Sequence, residues 1–118
     1  MRHLKRVKKL NKEKSHRSMM LSNLAASVIQ YEEVSTTEAK AKVVRGIIDR
    51  LINIGKSNDL NSRRRLYSLL PTKLAAHKIL EVLSPRYKDR PSGFTSIVKI
   101  GFRKGDNSRM VKIRLIQE

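Results

Sequence analysis

The chain has 118 residues, with 27 Lys and Arg against 10 Asp and Glu, and a formal net charge of +17. Cysteine is absent, which excludes disulfides, thiol catalysis and cysteine-based zinc sites. Self-repulsion of this size is relieved by a polyanion, nucleic acid first and an anionic membrane surface second.

The chain opens MRHLKRVKKLNKEKSHR. Arg2, Lys5, Arg6, Lys8, Lys9, Lys12, Lys14 and Arg17 stand there beside His3, His16 and a single acid, Glu13. Leu4, Val7 and Leu10 are too few to bury, so residues 1–14 read as a basic extension without fixed structure of its own. One reading is a solvated tail. The other is a segment that orders between RNA phosphates, each contact releasing counterions. Asn11, Ser15, His3 and His16 would add bonds to sugars and base edges. The basic run contains no apolar stretch of signal-peptide length, and no segment approaches the ~20 apolar residues that span a membrane. A soluble, cytoplasmic protein is expected.

Ser15 is the expected N-cap of a first helix over 16–31, where Met20, Leu21, Leu24, Ala25, Val28 and Ile29 recur at helical spacing. Ser35 and Glu38 fit a capping box for a second helix, with a brief strand at Glu33–Ser35 before it. Val43, Val44, Ile47, Ile48, Leu51 and Ile52 form its apolar face, and Gly55 is its expected C-cap. Asn58 or Asp59 caps a third helix that Pro71 closes. Thr72 caps a fourth, with Leu74, Ala75, Ile79, Leu80, Val82 and Leu83 as core candidates. SPRYKDRPSG reads as a loop. Beyond Gly93 the period falls to two. Phe94, Val98, Ile100 and Phe102 alternate, then Val111, Ile113 and Leu115, around the turn-former KGDNS. This predicts a β-hairpin with one buried face and one basic face. The expected fold is α+β: about four helices, a small sheet built on the C-terminal hairpin, and the N-terminal extension. The expected organisation is 1–14 as extension and 15–118 as one globular domain.

Three further basic clusters follow the extension. Arg63, Arg64 and Arg65 fan around a helix, so they share no single face. Arg86, Lys88 and Arg90 flank Tyr87, whose ring would either stack on a base or pack on the core. The hairpin carries Lys99, Arg103, Lys104, Arg109, Lys112 and Arg114. Catalysis finds no support: no H-E-x-x-H, G-x-S-x-G or P-loop motif occurs, acids are scattered, and His77 reads as a surface or satisfied histidine. No metal, cofactor or small-molecule substrate is expected. The rival binding function is an architectural or regulatory DNA-binding protein. No compact pair of short helices joined by a glycine turn supports it. Residues 1–14 offer too little apolar area to anchor on a membrane.

Ordered blocks along the whole chain resemble one family. They are Met1-Arg2-His3, Leu10-Asn11, Ser15-His16-Arg17, Asn23-Leu24-Ala25, Thr36-Thr37 and Lys40-Ala41-Lys42. Pro85-Arg86-Tyr87, Arg90, Gly93-Phe94-Thr95, Gly101, Arg103, Gly105-Asp106-Asn107 and Met110 complete them. The pattern is similar to that of the L-seventeen family of bacterial large-subunit ribosomal proteins. It departs from that pattern at Val7, Ser92, Phe94, Ser96 and Arg114. The resemblance implies an α+β structural protein of the large subunit. It would lie against large-subunit ribosomal RNA and neighbouring ribosomal proteins near the polypeptide exit tunnel. The RNA-contacting residues expected are Arg2, His3, Lys5, Arg6, Lys8, Lys9, Asn11, Lys12, Lys14, His16, Arg17, Arg86, Tyr87, Arg90, Lys99 and Arg103.

Overall fold

A computed structural model describes residues 9–117. Helix α1 (Lys14–Tyr31) begins two residues before the expected start, with Glu13 rather than Ser15 at its N-cap. It buries Leu21, Ala25, Ala26, Val28 and Ile29. Glu32 ends it in the left-handed conformation (φ 63°), its amide donating back to the Val28 carbonyl at 2.7 Å. That reversal sends the chain straight into strand β1 (Glu33–Thr37). Helix α2 (Glu38–Lys56) then starts without a loop, so the cap is Thr37 and not Ser35. Ser35 lies opposite Lys112 in the sheet. Ladder pairing outcompetes the local capping box at that position.

Gly55 does not end α2; it is buried inside the last turn, where a Cβ would overlap Ile79 Cγ2. Its role is close helix packing. Asp59 does cap α3 (Leu60–Leu69), accepting the Ser62 amide at 2.7 Å. Its carboxyl is held below the usual range chiefly by that bond. Helix α4 (Lys73–Lys78) runs on through a π-helical turn at Ile79–Leu83 into the short α5 (Ser84–Arg86). The expected loop therefore begins later than Ser84, and Pro85 sits in the first turn of α5. Ala75, Ala76, Ile79, Leu80 and Leu83 face the core. Leu74 lies on the opposite side of α4 from them and is 72% exposed. Val82 lies within the π turn, whose wider winding rotates the apolar stripe, and it too is exposed.

Strands β2 (Thr95–Phe102) and β3 (Arg109–Leu115) form the hairpin, and β3 also pairs antiparallel with β1. The sheet order is β1-β3-β2. Opposed residues share a face, so Val34 and Thr36 lie with Val111 and Ile113, and Ile97 with Ile113. This inner face packs on α1 and α2. The expectation for β3 holds, with Val111, Ile113 and Leu115 buried. For β2 it fails: Phe94 enters the core just ahead of the strand, but Val98 and Ile100 are exposed. The residues opposite Val111, Ile113 and Leu115 are Lys99, Ile97 and Thr95, one position out of step with the Phe94-Val98 alternation. A bulge between Lys99 and Gly101 then shifts the register again, placing Phe102 opposite Arg109.

Candidate nucleic-acid interface

Because β1 passes directly into α2 and β3 lies beside β1, the hairpin's tip end meets the N-terminus of α2. The segment before α1 arrives at the same place. A cleft of about 770 Å³ results, lined by Leu10, Asn11 and Lys12, by Thr37–Lys40 and Lys42, and by Arg103, Ser108 and Arg109. Leu10 packs partly buried against the core and holds this segment in place. Leu10 and Asn11 both adopt positive φ, 54° and 55°, and the Lys12 amide closes the bend onto the Lys9 carbonyl at 3.1 Å.

The cleft is cationic. Lys12, Lys40, Lys42, Arg103 and Arg109 line it against the one carboxylate of Glu38. The first-turn amides of α2 add partial positive charge at the same end. Glu38 bonds Lys42 at 3.0 Å and reaches Arg109 at 3.9 Å. Lys42, then Arg109 and Lys99, hold its carboxyl below the usual range. A smaller cavity of about 280 Å³ shares Glu38 and Arg109 with the cleft and continues past Lys99, Gly101, Phe102, Met110 and Val111. Excess cations on an open concave surface suit a phosphate backbone, whose closely spaced charges such a surface neutralises.

Three residues singled out in the sequence, Asn11, Lys12 and Arg103, come together here, with Lys99 next door. Arg103 is partly committed: its guanidinium grips Asp106 through two bonds, of 3.2 and 2.5 Å. Asp106 also accepts the Ser108 amide at 3.1 Å, and Arg103 leads the causes that depress its carboxyl. This pairing shapes the turn and leaves some Arg103 donors facing out. Lys9, Lys14 and His16 are exposed, and Arg17 is half-buried. Arg2, His3, Lys5, Arg6 and Lys8 lie outside the described residues.

The Arg86-Tyr87-Arg90 cluster lies at the other end of the sheet, and its roles there are internal. Tyr87 is fully buried, its ring 5.0 Å from that of Phe94 and its hydroxyl bonded to the Ile116 carbonyl. A ring so enclosed cannot stack on a base, and the core-packing reading is the one observed. Arg86 is paired with Glu32, which Lys78 also approaches at 3.2 Å. Arg86 leads the causes that lower the Glu32 carboxyl, and Glu32 in turn raises Arg86. Arg90 Nε donates to the Gly93 carbonyl at 3.4 Å. Arg63, Arg64 and Arg65 are all exposed on α3.

Sequence reasoning missed Lys40 and Lys42 as interface candidates, and named Arg109 in the hairpin's basic cluster without placing it among the expected RNA contacts. No local signal marks them, because they are ordinary helix and strand cations until the fold brings them together. Among the described residues, no helix is long and apolar enough to cross a membrane. No group of three or more His, Asp or Glu there is placed to hold a metal ion.

The family model described as "Ribosomal protein L17" matches residues 20–116. A large ribosomal subunit protein bL17 of Syntrophotalea carbinolica is 41% identical over all of this chain and 76% of its own length. The bL17 of Rubrobacter xylanophilus is 43% identical over 98% of this chain and 96% of its own length. That of Allorhizobium ampelinum is 41% identical over 99% of this chain and 83% of its own length.

Proposed function

As the chain belongs to the ribosomal protein L17 family, we propose that it is a structural constituent of the large ribosomal subunit in the cytoplasm, binding and stabilising folded large-subunit ribosomal RNA. The observation that carries the RNA-binding reading is the cationic cleft joining the N-terminal segment, the start of α2 and the hairpin. Lys12, Lys40, Lys42, Arg103 and Arg109 would meet phosphates there, and Asn11 a sugar or base edge. Residues 1–14 act as a tether, of which Leu10, Asn11 and Lys12 line this cleft, and residues 15–118 as the single body that positions it. Arg2, His3, Lys5, Arg6, Lys8, Lys9, Lys14, His16 and Arg17 extend the interface along the RNA. The location near the exit tunnel, beside other ribosomal proteins, rests on the family resemblance. The function is assembly and support of RNA, without turnover.

Cosedimentation of the tagged protein with ribosomal subunits, repeated after a high-salt wash, tests this. Retention on the large subunit is the expected result. Free protein at the top of the gradient would refute it and turn attention to duplex DNA as the polyanion. Deleting residues 1–8 should leave the body folded, because Leu10 stays in its packing site, while incorporation falls.

A further inference from the structure

Phe102 is the unexplained residue of the interface. It is 64% exposed, although the hairpin that carries it buries other apolar side chains. Two backbone features place it there. The bulge after Lys99 moves Phe102 opposite Arg109, onto the inner-face side of the sheet but at its hairpin end, where its ring remains largely uncovered. Gly101, at φ 133°, supplies a backbone conformation that other residues rarely adopt. The ring borders the 280 Å³ cavity together with Lys99, Arg109 and Met110. That cavity opens beside the cationic cleft, sharing Glu38 and Arg109 with it. Lys99 and Arg109 are themselves exposed.

We infer that Phe102 is a stacking platform for one unpaired nucleobase of the bound RNA, with Lys99 and Arg109 on the phosphates either side of it. This rests on the RNA-binding reading and extends it. A paired, stacked base presents no free face, so the platform selects a loop, bulge or unstacked strand over a continuous helix. The cations favour a nucleotide over an apolar protein segment: Lys99 and Arg109 share the cavity with the single carboxylate of Glu38, which Lys42 already engages, so an apolar occupant would desolvate two cations with one shared counter-charge.

Full-length protein is titrated with a labelled ten-residue oligouridylate and, separately, with a blunt RNA duplex of twenty base pairs. Phe102→Ala should weaken oligouridylate binding roughly tenfold and duplex binding less than twofold, because a base-aromatic stack is removed while the phosphate interactions remain. The slope of affinity against salt should not change. Phe102→Tyr should bind as the parent does, and Phe102→Leu should resemble the alanine variant. Equal binding by the parent and Phe102→Ala would overturn the stacking role and leave the RNA-binding reading intact. Retained binding by Phe102→Leu would also overturn it, marking the patch as a plain apolar surface of the kind a protein neighbour uses. A parent protein that binds neither RNA would overturn both readings.

Discussion

The Tyr87 hydroxyl donates to the carbonyl of Ile116, just past the end of β3, and so ties the helical body to the sheet. The same ring packs on Phe94, whose amide donates to Asp49 of α2 at 3.2 Å. One tyrosine thus joins the end of the helical stretch, the entry to β2 and the exit of β3. Tyr87→Phe keeps the ring and removes the bond, leaving the Ile116 carbonyl without this donor. Urea denaturation should show a loss of about 1–2 kcal/mol. RNA affinity should be unchanged; a selective loss of RNA binding at parental stability would contradict the packing role.

Two glycines of α2 should respond with opposite signs to alanine. Gly46 is exposed, and a Cβ at that position would meet nothing within 4 Å, so Gly46→Ala gains helix propensity and should stabilise by up to about 1 kcal/mol. Gly55→Ala gains the same propensity but drives a methyl into buried Ile79. Overpacking costs about 1–3 kcal/mol, which outweighs the gain. Paired thermal melts would decide, and a stabilised Gly55→Ala would show that Ile79 yields easily.

Acid should weaken the fold through Glu32. Its carboxyl, bonded to Arg86 and Lys78, titrates below its reference value of 4.5. A depressed folded value means the ionised form is favoured by folding. The contribution is therefore complete above about pH 4.5 and is lost as pH falls through the lower folded value. Glu32→Gln should cost about 1–2 kcal/mol at pH 7, because it leaves the largely buried Arg86 and Lys78 cations without their carboxylate. The gap between variant and parent should close as pH falls through that lowered value. A gap that stayed constant with pH would mean packing, not charge, explains the loss.

Charge in the cleft should appear in the salt dependence of binding. Replacing Lys40, Lys42 and Arg109 together by glutamine should lower the log-log salt slope on ribosomal RNA by roughly 2–3, at up to about 0.9 for each phosphate no longer neutralised. Arg86→Gln removes one cation as well, but its partner is Glu32, so its cost should appear in stability with the slope intact. Equal slopes for the triple variant and the parent would place the RNA elsewhere on the surface.

Much was legible before the fold was known, because it rests on short-range physics. Apolar spacing marks α1 and α2 and names Val28, Ile29, Val44, Ile48 and Ile52 as core, since a helix buries whatever recurs along one side. The cap of α3 is legible as Asn58 or Asp59, of which the structure uses Asp59, and the alternation of Val111, Ile113 and Leu115 declares the inner face of β3. Net charge points to a polyanion without reference to shape, because Coulomb repulsion depends on the sum. The outcomes that escaped depend on pairings distant in sequence. Ser35 joined a strand because β3 was there to pair with it, and Gly55 became a packing residue because Ile79 lies against it. One bulge set the direction of Phe102. Tyr87 carries the same local signature whether it faces RNA or the core, and burial decided between them. Lys12, Lys40, Arg103 and Arg109 are scattered along the chain and became one cleft only when β1, α2 and the hairpin met. Composition and periodicity report what each segment favours alone, whereas an interface is a relation between segments that exists only after long-range pairing has chosen their register.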